Sequence, residues 1–112
     1  MKIAVAVETN NSWDSIVSPR FGRAPFFAII DLSTNPPNLQ IMPNPHIHMV
    51  GGLGPTVVQW LVSMGVKAII VSRVGPHAMM ALQAMGVEVK IVPPGIPLRQ
   101  ALSMSGYGGL VP

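Results

Sequence analysis

All three histidines, His46, His48 and His77, lie in stretches punctuated by glycine and proline, and so do three of the four arginines, Arg20, Arg23 and Arg73. A neutral imidazole donates to metal and a guanidinium stays charged at any working pH, so together they suit a metal-containing anion. His46 and His48, spaced by one, fall on the same side of an extended segment. The chain has no cysteine, which removes disulfides, thiolate zinc sites and cysteine-held iron–sulfur clusters. Imidazole is then the ligand to expect, with the Met49 thioether, more simply read as packing, an acceptable soft donor beside it. The acidic residues are only Glu8, Asp14, Asp31 and Glu88, and a two-metal nuclease needs several carboxylates converging on its ions. Gly51-Gly52-Leu53-Gly54 looks like a phosphate cradle, but it lacks the lysine and spacing of a nucleotide-binding loop. Serine–histidine chemistry has no nucleophile elbow to set it up. The residues therefore predict a binding protein and no enzyme. The alternatives are a phosphate- or nucleotide-binding enzyme, a nuclease, or a protein–protein adaptor.

These residues are positioned by a pattern written twice. Gly54-Pro55, Met64-Gly65-Val66 and Ile70-Val71 recur as Gly75-Pro76, Met85-Gly86-Val87 and Ile91-Val92, with an offset of 21 residues at each matched position, and Pro97 opens a third copy. Proline is tolerated where a helix begins and glycine is favoured just past its end, so each copy predicts a helix from its proline to its glycine. The apolar runs Val66 to Val71 and Val87 to Val92 read as strands covered on both faces. Upstream, Lys2 to Val7 reads as a buried strand, and Phe26 to Leu32 and Leu39 to Met42 as a meander turning through Pro36-Pro37-Asn38. The prediction is one sheet with strands near 2–7, 26–32, 39–42, 67–71 and 88–92, of which only the second is antiparallel. Four loops, from Glu8, Pro43, Ser72 and Pro93, then meet at the carboxyl edge. The helices starting at Pro55, Pro76 and Pro97 turn their positive ends toward that edge, and the histidines are expected to approach one another there.

With 112 residues the chain is one domain. Its net charge of +3, from seven basic and four acidic residues, is too sparse to argue for nucleic acid. The apolar start meets Glu8 too soon for a signal segment and no run reaches membrane-spanning length. A cytoplasmic protein without membrane contact is expected.

Asp14-Ser15, Val17-Ser18, Arg20-Phe21-Gly22-Arg23-Ala24-Pro25-Phe26, Asn44-Pro45, the His-x-His-x-x-Gly-Gly-x-Gly run from His46, and Arg73-x-Gly-Pro-x-Ala resemble the dinitrogenase iron–molybdenum cofactor biosynthesis family of nitrogenase accessory factors. The Phe-Gly-Arg-Ala element is the most specific part. The resemblance implies a three-layer α/β/α, ribonuclease H-like fold with a mixed five-stranded sheet whose second strand is antiparallel. It also implies a carrier of an iron–sulfur cluster or iron–molybdenum cofactor precursor, with a cluster donor or acceptor protein as partner. Carried over by position, the cluster-facing residues are Arg20, Arg23, His46, His48, Gly51, Gly52 and His77. Many relatives have His where this chain has Arg20, which exchanges a ligand for a cation. The match runs from Met1 to about Leu102 and sets a domain at 1–102. The glycine-rich tail 103–112 is expected to be flexible unless a partner covers Tyr107, Leu110 and Val111.

Overall fold

β1, Lys2–Val7, lies at the centre of the sheet because five of its six residues are buried and both faces are apolar. In the computed structural model, which describes residues 1–110, it is followed by β2 (Phe26–Asp31), β3 (Asn38–Pro43), α1 (Leu53–Ser63), β4 (Val66–Val71), α2 (Pro76–Ala84), β5 (Glu88–Ile91) and α3 (Leu98–Met104). Single 3₁₀ turns occur at Ser12–Asp14 and Gly108–Leu110. The strand order is β3-β2-β1-β4-β5. β2 pairs antiparallel with both β1 and β3, while β1–β4 and β4–β5 are parallel, so the second strand alone runs against the others, as the repeat and meander predict.

Alternation along the strands divides the core in two. Ala4, Ala6, Phe27, Ile29, Ile69 and Val71 face α1 and α2, where they meet Val57, Val58, Leu61, Ala78 and Leu82. Ile3, Val5, Val7, Ala28, Ile30 and Ile70 face α3, where they meet Leu98, Ala101 and Leu102. Helices thus cover both faces of the sheet. α3 continues to Met104, past the boundary drawn at Leu102, and the Tyr107 amide returns to the Leu102 carbonyl at 2.8 Å while its ring packs on the second core. Val111 lies outside the described residues. Among the described residues, no helix is long and apolar enough to cross a membrane.

The repeat is legible in the backbone, although its caps differ from the prediction. Gly65 and Gly86 take φ of 88° and 70°, and Gly106 at 91° closes the third helix in the same way. Pro76 is the first residue of α2, but Pro97 stands one residue before α3, and α1 begins at Leu53, two residues ahead of Pro55. The cause is Gly52, whose φ of 67° turns the chain early. Pro55 still fits the first turn, where amides have no intrahelical acceptor.

At the opposite edge, Asp31 closes the β2–β3 hairpin by accepting from the Ser33 hydroxyl at 2.6 Å and the Ser33 amide at 2.9 Å. The hydroxyl bond is the larger cause of a carboxyl pKa held below its ordinary value. Such a group favours the folded state above its unfolded pKa, and the gain is lost as pH falls through the folded one. Ser33→Ala is expected to raise the Asp31 pKa toward the ordinary carboxylate value, read by NMR titration of the carboxyl carbon. An unmoved titration would assign the effect elsewhere.

Candidate functional site

The register puts Val7 beside Phe26, Phe26 beside Pro43, and Val71 beside Ile91, so the loops after β1, β3, β4 and β5 leave from one edge. There a cleft of about 600 Å³ opens between the Pro19–Arg23 segment, the start of α1 and the start of α2. Small residues make it possible. A Cβ on Gly54 would stand 2.9 Å from the Ala78 Cβ, so only glycine lets α1 and α2 approach this closely at their first turns. A Cβ on Gly22 would press against Leu53 at 3.2 Å. The first turns of two helices, with their unpaired amides and positive dipole ends, thus flank the same space.

Arg20, Arg23, Arg73, His77 and Gly52 line the cleft, together with apolar surface from Phe21, Leu53 and Pro55, and none of the lining residues is acidic. Arg20 keeps one carboxylate near: its Nη2 lies 3.6 Å from Glu8 Oε1, both side chains being partly exposed, while Glu8 Oε2 is buried without a hydrogen-bond partner. The backbone of this segment is fixed from behind. The Arg20 amide donates to the Ser18 hydroxyl at 3.2 Å, and the Ser72 hydroxyl donates to the Ser18 carbonyl at 2.8 Å, tying the β1 and β4 loops together.

Of the residues singled out from the sequence, five therefore share the cleft. His46, His48 and Gly51 do not line it. His46 stands edge-on to Trp60 with ring centroids 6.1 Å apart, at the end of a series in which Trp60 meets Phe27 at 5.8 Å and Phe27 meets Phe21 at 5.6 Å. His48 is exposed. Among the described residues, no three His, Asp or Glu side chains come together as a metal site. α3 also stays away from the cleft: the Leu98 amide bonds to the Ser15 carbonyl at 2.7 Å, and Arg99 reaches Asp14 at 3.4 Å. Only two of the three predicted helix starts serve the site.

The sequence marked Asn44 only as part of the Asn44-Pro45 motif and gave it no role. It is buried, its side-chain amide donates to the carbonyls of Gly22 at 2.8 Å and Ala24 at 3.0 Å, and its carbonyl oxygen accepts from the His46 amide at 3.0 Å. An asparagine directly before proline in a loop was the available signal, since such a residue serves its neighbours' backbone. Asn44 holds the root of the histidine loop against the segment carrying Arg23.

Comparison with known proteins adds the following. The family model described as dinitrogenase iron-molybdenum cofactor matches residues 1–105. An uncharacterized protein of Methanocaldococcus jannaschii is 33% identical over 90 residues, covering 80% of this chain and 72% of that protein. The apo form of the orange protein from Desulfovibrio gigas superposes with a TM-score of 0.85 at 34% identity, covering 99% of this chain and 90% of that one. A putative NifB protein from Thermotoga superposes at 0.76 with 35% identity, covering 95% and 89%.

Proposed function

The chain belongs to the dinitrogenase iron-molybdenum cofactor family, and from that premise we propose that it is a small non-catalytic carrier whose cargo is an anionic iron–sulfur cluster, the iron–molybdenum cofactor or a precursor of it. The fold is read with it as ribonuclease H-like, and the place of work as the cytoplasm, between a cluster donor and an acceptor protein. The observation that supports the carrier reading is the charge of the cleft. Three arginines and two helix starts line a volume whose lining contains no acidic side chain, an arrangement that attracts a polyanion. The same lining has no carboxylates to hold catalytic cations, which argues against a nuclease. Arg20, Arg23 and Arg73 supply charge, while Gly52 brings backbone close to the cargo and Gly51, outside the cleft lining, belongs to the adjoining loop. His77 is the ligand at the cleft wall, with His46 and His48 donated from the adjoining loop.

Anaerobic titration with a preformed iron–sulfur cluster, followed by visible absorption and electron paramagnetic resonance, tests this reading. Stoichiometric uptake is expected for the wild type. The His46→Ala, His48→Ala, His77→Ala triple variant is expected to bind more weakly, with His77→Ala giving the largest single loss. Absence of spectral change with wild type, or equal binding by the triple variant, would refute imidazole-held cargo.

A further inference from the structure

Arg23 lines the cleft, and its guanidinium reaches the adjoining histidine loop. Its Nη1 donates to the Ile47 carbonyl at 2.8 Å and its Nη2 to the Met49 carbonyl at 3.0 Å. The geometry points to Arg23 as the positioning residue of the histidine loop, setting where His46 and His48 stand relative to the cleft. The inference rests on the carrier reading above and concerns how that site is assembled.

The segment 22–24 and the loop 44–49 are joined like a zip. The Gly22 and Ala24 carbonyls accept the Asn44 side chain, the Pro25 carbonyl accepts the Asn44 amide at 3.0 Å, and the Arg23 side chain closes on Ile47 and Met49. Asn44 fixes only the root of the loop. The part that carries both imidazoles is turned by the Met49 amide donating to the His46 carbonyl at 3.0 Å. Arg23 contributes two further bonds to this part, on either side of His48. Beyond it, Val50 is fully exposed and a Cβ on Gly51 would meet nothing. Arginine is required for geometric reasons. Two carbonyls two positions apart are matched by two nitrogens of a planar fork, whereas an ammonium offers its donors from a single atom. Charge alone would be supplied equally well by lysine.

Arg23→Lys therefore separates the two roles, and because the side chain is exposed the variant is expected to fold. In the cargo-free protein, the hydrogen-bonded amides of the loop, those of His46 and Met49, should exchange with solvent about tenfold faster than in wild type, with shifted His46 and His48 ring resonances. Cluster affinity should fall about tenfold, as when a group orienting a metal ligand is lost. The dependence of affinity on salt should keep its wild-type slope, because the charge is retained. Wild-type exchange in Arg23→Lys, or faster exchange with undiminished cluster affinity, would overturn the positioning role. If wild-type protein takes up no cluster, the carrier reading fails, while the exchange and ring resonances of the cargo-free protein still decide whether Arg23 positions the loop.

Discussion

Phe27→Ala is expected to lower the unfolding free energy by about 3–5 kcal/mol, a large part of the roughly 5–15 kcal/mol that holds a domain of this size. Phe27 is wholly buried on the face of β2 that meets α1 and α2. Its ring takes Phe21 and Trp60 edge-on, at 5.6 and 5.8 Å, an arrangement that adds to the area term. Truncation leaves a void between strand and helix that neither partner can fill while its own backbone stays fixed. The loss extends to the site, because Phe21 lies on the segment that carries Arg20 and Arg23, and Trp60 supports the His46 ring. Ile30→Ala is the control: equally buried but on the α3 face, it should cost about 2–5 kcal/mol and leave the histidine loop in place. Urea unfolding gives the energies, and the His46 ring resonance in the folded fraction gives the site effect. A loss under about 1 kcal/mol for Phe27→Ala would mean that the core can collapse onto the void, contrary to the packing described.

The elements were legible in the sequence wherever a local rule was enough. Gly65 and Gly86 mark helix ends because positive φ is a local demand, and Val66–Val71 reads as a buried strand because it is apolar on both sides. The direction of β2 followed from chain reversal at Pro36-Pro37-Asn38, and the edge on which Arg20, Arg23, Arg73 and His77 gather followed from strand direction. The start of α1 was misread because the conformation of Gly52, not the proline, decides it. What the sequence could not reveal depends on contacts between distant segments. Nothing local in His46 tells that its ring meets Trp60, 14 positions along the chain, or that Arg23 spends two donors on carbonyls 24 and 26 positions away. For the same reason the face taken by α3 was hidden: the period of 21 is blind to it, and only the packing of Leu98, Ala101 and Leu102 on the second core reveals it.

Removing charge from the cleft with Arg20→Gln and Arg73→Gln is expected to weaken cluster binding by about 100-fold or more at low salt, with Arg73→Gln worth about tenfold or 1.4 kcal/mol and Arg20→Gln more than that. Unit charges about 4 Å apart interact by about 4 kcal/mol at the effective dielectric of a protein surface, and solvent exposure reduces the realised share. Both side chains are exposed, so the smaller figure applies. The two residues are not equivalent. Arg20 is paired with Glu8 at 3.6 Å, and Glu8 Oε2 is already buried without a hydrogen-bond partner. Arg20→Gln therefore removes a cation and also leaves an uncompensated carboxylate beside the anion's site, so its loss should exceed that of Arg73→Gln. Adding Glu8→Gln to Arg20→Gln should recover the excess and leave the remainder. Binding curves at several ionic strengths separate this electrostatic share from ligation, since screening shortens the reach of charge to about 8 Å at physiological salt and leaves metal–nitrogen bonds untouched. The salt dependence should flatten in the double variant and stay steep in His77→Ala. Should the double arginine variant keep wild-type affinity and salt dependence, the cargo is not held by charge, and the cationic cleft is not its site.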